Sequence, residues 1–387
     1  MKKRIISLLL VFVMVIGLTA CAENKAETPA SSTPVQEAAQ PQTSEPQVSE
    51  PQVTEPEETQ NAPATITFTD DCGREVEIPT DITRVVSSGP LSQIVLFAIA
   101  PEMFVGLAAE YGDSAKGFIP EEYFDLPYFG QLYGSANLNV EELAAVNPQL
   151  IIDIGEAKKS IVEDMDDLEA QTQIPSIHIE ASLATMPDAY RKLGNILGKE
   201  EKGEELAQFC EKVYNRTVSI MDQVGDNKVN ALYILGEEGL NVLANGSYHA
   251  ELIDLLTNNL AVVDNPAGKG SGNEVTMEQI ALWNPDFILF APGSIYDTVA
   301  DQEAWKELTA IQTGRYIEIP EGPDNWMGSP PSVQRYLGLI WLTAELYPEY
   351  CDYDVKAEIT EYYRLFYGCE LTDEQYAAMT VHAFITE

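Results

Sequence analysis

The sequence predicts an α/β chain of two similar lobes with central, mostly parallel sheets, joined by a long helical crossover. Three observations carry this. Short apolar strands alternate with helical stretches. A block near the middle, VEELAAVNPQLII at 140–152, returns as MEQIALWNPDFIL at 277–289, aligned without a gap. Between the two copies lies the longest helical pattern in the chain.

The first residues read as a processing signal. Lys2, Lys3 and Arg4 precede an apolar run at 5–18, which is shorter than the roughly 20 residues of a membrane span. Leu18-Thr19-Ala20-Cys21 follows. This ending resembles the bacterial lipoprotein signal, in which the residue at Cys21 receives a diacylglyceryl group and becomes the mature N-terminus. Residues 1–20 are then the signal peptide, and 21–64 are the lipidated Cys and a tether. The tether is dominated by Pro, Glu, Gln, Ser, Thr and Ala, a composition that cannot bury apolar surface.

Elements of the globule follow in order. TITFTDDCGREVEIP at 65–79 alternates like a hairpin turning at Gly73. A short buried strand is expected at 84–87, a buried helix at 91–100 and another strand at 104–108. In each copy of the repeat a short helix ends at Asn-Pro, where proline cannot continue it, and a buried strand follows. Residues 65–185 form the N-terminal lobe. Residues 186–225 form the inter-lobe helix; Pro187 suits its start, and Gly194, Gly198 and Gly203 leave room for a division into two. The C-terminal lobe, 226–375, opens with a strand at 229–235 and closes with helices at 332–347 and 355–367. Residues 376–387 are a tail.

Composition excludes several functions. The chain has 62 acidic and 22 basic residues and a net charge of −40. Nucleic-acid binding and electrostatic docking on an anionic bilayer are therefore not expected. The acidity favours cationic or neutral ligands over anions. Three histidines rule out a His-rich metal site, and His178, His249 and His382 each read as structural. There is no GxSxG, HExxH or GxxxxGK[ST]; the GKGSG at 268–272 lacks phosphate-loop spacing. An enzyme is not expected. Cys72, Cys210, Cys351 and Cys369 show no CxxC spacing and read as free. The intervening helix sets Cys351 and Cys369 too far apart to bridge.

The hairpin DDCGREVEIP, both copies of the repeated block, the helical crossover and the closing YYRLFYGCELTDEQ resemble the extracytoplasmic substrate-binding proteins of ABC importers, in the class that carries iron–siderophore, haem and cobalamin. The resemblance spans about residues 65–375. It implies a monomeric receptor on the outer face of the cytoplasmic membrane, held there only by the lipid at Cys21. Its cargo would be a small-molecule metal complex, with no cofactor beyond the lipid and no metal bound directly by the protein. Molybdate or tungstate is the alternative cargo on the same fold. A non-transport surface receptor, an adhesin and a chelatase-like enzyme are the rival readings. The resemblance further implies that Glu141 and Glu278, which head the two repeat helices, dock on an ABC permease. As helix-start carboxylates they also suit the dipole.

A ligand cleft belongs between the lobes at the carboxyl ends of the strands. In lobe one the candidate loops hold Ser88, Gly89, Tyr111, Tyr133 and Glu156. In lobe two they are 237–238, 245–248, 268–271, 292–294 and 324–327, with Tyr248, Lys269 and Trp326 as the foremost candidates. Arg335, close behind, could meet an anionic group. Trp326 sits among turn formers, which argues for an exposed indole wall, whereas Trp283 belongs to the packing of its helix.

Overall fold

The computed structural model describes residues 64–133 and 138–385. The signal, Cys21 and most of the tether lie outside them, as do Gly134 and Ser135. The chain begins with the antiparallel hairpin of β1 (Thr65–Thr69) and β2 (Glu75–Pro79), in which Thr69 faces Glu75. Val76 and Ile78 of β2 are buried while Glu75 and Glu77 are exposed, the expected alternation. At the turn, Asp70 accepts the backbone N–H of Arg74 at 2.8 Å, and Gly73 takes φ +84°.

Lobe one is built on β3 (Val85–Ser87), the helix α1 (Pro90–Ile99), α2 (Val140–Ala145), β4 (Leu150–Gly155), α3 (Ile161–Thr172) and β5 (Ser176–Glu180). Its sheet has the order β3-β4-β5, all parallel. Every residue of β3 and β4 is buried, which explains why both are apolar apart from Ser87 and Asp153. Proline at the first position of α1 leaves no orphaned N–H there. The strand expected at 104–108 does not form. Phe104 makes one bridge to Val85, and the chain then turns to pair Leu107 with Tyr128. Two partners share the segment, so neither ladder extends.

The crossover is two helices, α4 (Met186–Leu197) and α5 (Glu200–Val224). Gly198, with φ +63°, ends the first in the left-handed conformation. The helices then fold back on each other. A Cβ on Gly203 would lie 2.6 Å from the Tyr190 carbonyl oxygen and 3.1 Å from Gly194 Cα. The crossover glycines thus permit close approach. Arg191 clamps the pair by reaching Glu204 at 2.7 Å and Glu211 at 2.7 Å.

Lobe two comprises β6 (Asn230–Leu235), β7 (Asn241–Val242), α6 (Glu251–Leu256), β8 (Asn258–Asn259), β9 (Asn273–Glu274), α7 (Met277–Trp283), β10 (Phe287–Phe290), α8 (Tyr296–Val299), α9 (Thr309–Gln312) and β11 (Tyr316–Glu318). Its sheet runs β11-β10-β6-β7-β9, with β8 also on β6; β11, β10, β6 and β8 are parallel, β7 runs antiparallel to β6, and β9 runs antiparallel to β7. The chain closes with α10 (Arg335–Leu346), α11 (Val355–Tyr362) and α12 (Asp373–Met379).

The repeated block is a structural repeat. In α2 the Asn139 side chain accepts the N–H of Glu142 at 3.2 Å, and in α7 the Thr276 hydroxyl accepts that of Gln279 at 3.2 Å. Both helices reach a left-handed asparagine, Asn147 at φ 48° and Asn284 at φ 40°, before the proline. Each then feeds the strand in the middle of its lobe's parallel set, β4 or β10.

Apolar packing forms three layers. Val86, Leu143 and Ile151 belong to an outer layer of lobe one, and Leu232, Ile234 and Ile288 to an outer layer of lobe two. Alternate residues of the same strands, among them Val85, Ile152, Tyr233 and Leu289, join a continuous layer shared with α1, α5, α6, α10 and α11. Separate sheets are therefore joined by one common core. The four described cysteines are free, and no helix among the described residues is long and apolar enough to cross a membrane.

Candidate functional site

A cleft of about 350 Å³ lies between the lobes. Lobe one supplies Ser88, Gly89, Pro90, Leu91 and Ser92 from the turn between β3 and α1, together with Gln131 and Tyr133. The end of β4 and the loop beyond it add Asp153, Ile154, Glu156 and Lys158. Lobe two supplies Tyr248, His249, Gly268, Lys269 and Gly270, and the segment before α10 adds Pro330 and Pro331. The lobe-one wall is where parallel strands leave a crevice, at their carboxyl ends. Gly155 closes β4 at φ +136°, and a Cβ there would meet Leu91 at 3.1 Å.

The lobe-one wall is pinned by a buried polar chain. The Ser88 hydroxyl donates to one oxygen of Asp153, and the other oxygen takes a 2.7 Å bond from His178 Nδ1. A carboxylate only accepts, so Nδ1 carries the proton. Tyr133 donates to Asp164 at 2.7 Å, and Lys158 Nζ sits 3.7 Å above the Tyr133 ring. Burial and Asp164 push the Tyr133 phenol far up, so it stays neutral.

On the opposite wall the Tyr248 hydroxyl donates to the Ala181 carbonyl at 2.6 Å, which ties lobe two to the last loop of lobe one. Burial pushes this phenol up to about 12. His249 is pushed down to about 4, first by burial and then by the charges of Arg335 and Lys158, and its Nδ1 has no partner among the described residues.

Beneath the cleft lies a polar clasp. Arg335, wholly buried, meets Glu251 at 2.8 Å and lies 4.9 Å from the Tyr248 ring centre. Glu251 accepts the N–H of Leu183 at 3.0 Å, Tyr336 donates to the Leu183 carbonyl at 2.6 Å, and Ser332 donates to the Leu91 carbonyl at 2.9 Å.

Of the residues singled out from sequence, Ser88, Gly89, Tyr133, Glu156, Tyr248 and Lys269 share this cleft. Three do not. Tyr111 packs edge-on against Phe97, 6.0 Å between ring centres, on the far flank of α1. Trp326 is fully buried against Trp341 at 6.1 Å. Turn formers around it break elements without lifting the loop from the core: the loop is drawn under α10, where Gly338 leaves room for the Trp326 carbonyl. Arg335 is spent on Glu251 under the floor. The loops 237–238, 245–247, 292–294 and 324–327 lie outside the lining. Just beyond 237–238, a Cβ on Gly239 would meet Ile295 and Trp305 of the outer layer.

Sequence reasoning missed Asp153, Lys158 and His249. Asp153 had a visible signal, a lone charge inside the buried run LIIDIG. His249, expected to be structural, lines the cleft. Glu141 and Glu278 are both exposed at matched positions, and neither forms an ion pair among the described residues. The backbone at the start of α7 and the Thr276 hydroxyl hold the Glu278 carboxyl below its usual range. Among the described residues no group of three or more His, Cys, Asp or Glu is placed to hold a metal ion.

Comparison with known proteins places this geometry. Residues 120–323 match the family described as periplasmic binding protein. An ABC transporter substrate-binding lipoprotein of Bacillus subtilis strain 168, YvrC, is 19% identical over 288 residues, covering 73% of this chain and 86% of that protein. An ABC transporter solute binding protein from Sulfurospirillum deleyianum DSM 6946 superposes with a TM-score of 0.75 at 26% identity, covering 81% of this chain and 98% of that one. The molybdate-bound binding protein MolA of Haemophilus influenzae shares the fold, with a TM-score of 0.64, 19% identity, and coverage of 79% and 99%. With the family match spanning more than half the chain, this protein belongs to the periplasmic binding protein family.

Proposed function

We propose that the chain is a lipid-tethered extracytoplasmic receptor that captures a small metal chelate between its lobes and delivers it to an ABC permease. The observation that carries this reading is the cleft itself, lined from both lobes by flat rings, prolines and a few polar groups. Support comes from the two matched, exposed glutamates, from the Cys21 signal, and from a relative described as an ABC transporter substrate-binding lipoprotein. The candidate cargoes are iron–siderophore, haem and corrinoid. A bare oxyanion such as molybdate is the second reading. It is favoured by the cleft volume, about 350 Å³, which sits at the small end of the roughly 300–1,000 Å³ typical of ligand sites.

Catalysis is disfavoured by the order of the buried chain. Ser88 faces the Asp153 carboxylate and His178 lies behind it, so no imidazole stands beside the hydroxyl to take its proton. Cargo biases the lobes only through its higher affinity for the closed form. Two carboxylates at matched positions suit a two-fold permease with complementary charge. Docking is tested by the double variant Glu141→Arg/Glu278→Arg, with cargo binding and uptake by cells measured separately. Binding should persist and uptake should fall to background; normal uptake would refute docking through these residues.

A further inference from the structure

Cations in this acidic chain generally find carboxylates. Arg74, Arg191, Lys212, Arg216 and Arg335 each meet one or more. Lys158 and Lys269, like Arg84, Lys159, Lys228, Arg315 and Arg364, meet none among the described residues, and of these only Lys158 and Lys269 face the interlobe cleft, one from each wall. Lys158 lies over the Tyr133 ring, and its charge reaches His249 on the opposite wall. Lys269 stands between Gly268 and Gly270, so no flanking side chain competes with it. Of the two carboxylates in the lining, Asp153 is occupied by Ser88 and His178, which leaves Glu156 exposed.

We propose that the cleft is built for an anionic cargo, with Lys158 and Lys269 as opposing arms that close on it from the two lobes. The inference rests on the receptor reading above and narrows its ligand class. With no anion present, like charges on facing walls repel and favour separation. An oxyanion edge between them replaces that repulsion with charge-assisted contacts, a differential affinity for the closed form. The prolines, Leu91, Ile154 and the tyrosine rings would cover the body of the cargo. The acidity of the whole chain favoured cationic or neutral ligands, but that field is screened over about 8 Å at physiological ionic strength. Within the cleft the nearer lysines dominate.

The test is calorimetry on the full chain in detergent micelles with three probes: an anionic iron(III) tris-catecholate, a neutral iron(III) trihydroxamate, and molybdate. An anionic probe should bind and the neutral one should not; which anion binds distinguishes a chelate from a bare oxyanion. Lys158→Gln and Lys269→Gln should each weaken binding about tenfold. The Lys158→Arg/Lys269→Arg variant should retain binding, and Glu156→Gln should tighten it. Added salt should weaken the parent more than the double Gln variant. Preference for the neutral chelate, or Gln variants that bind like the parent, would overturn the clasp and leave the receptor reading standing. Failure of all three probes would count against the receptor reading and the clasp together.

Discussion

Two half-buried ionisable groups have their protonation shifted in opposite directions. Burial pushes Asp324 up to about 6 and His249 down to about 4. The Asp324 carboxyl holds more protons in the folded chain than in the unfolded one. Its contribution is present at low pH and is lost as pH rises through about 6. His249 holds fewer. Its contribution is present above about 6.5 and is lost as pH falls toward about 4. Between about pH 4 and 6 the two slopes oppose each other. Relative to the parent, His249→Gln should therefore lose less stability on acidification, and Asp324→Asn should lose less as pH rises through 6, each by up to about 3 kcal/mol. Urea unfolding across this range reads both differences, and parallel profiles for parent and variants would contradict the assignment.

At the scale of elements, what the sequence showed was periodicity and what it hid was competition between partners. The hairpin, β4, β10, α1 and the doubled Asn-Pro turn were legible because each depends on its own residues. The segment 104–108 has strand composition, but its backbone divides between Val85 and Tyr128. The crossover glycines looked like weak points in a helix, and their use was visible only once the helices were paired. Gly203→Ala makes the point quantitatively. Alanine gains about 1 kcal/mol of helix propensity, but its Cβ would meet backbone at 2.6 Å, with no flexible side chain to give way. Overpacking of this kind costs about 1–3 kcal/mol, so a net loss of up to about 2 kcal/mol is expected in urea unfolding. An alanine variant more stable than the parent would show that α4 and α5 do not approach this closely.

Across the whole molecule, the repeat and the long crossover announced two lobes, but not that they share a core. That shared layer, with the Tyr248, Glu251, Tyr336 and Ser332 bonds under the cleft, ties the walls together at their base and limits how far they can part. The candidate site was half legible for the same reason. Loops at strand ends could be read from lobe one, but the positions of Trp326 and Arg335 depend on contacts distant in sequence. The central claim is that one cargo is held by both lobes at once, and hydrogen exchange on the chain with and without saturating ligand tests it most directly. Protection should appear together at 88–92 and 153–158 in lobe one and at 248–249 and 268–270 in lobe two. Protection confined to one lobe, or to a surface away from this cleft, would contradict the account.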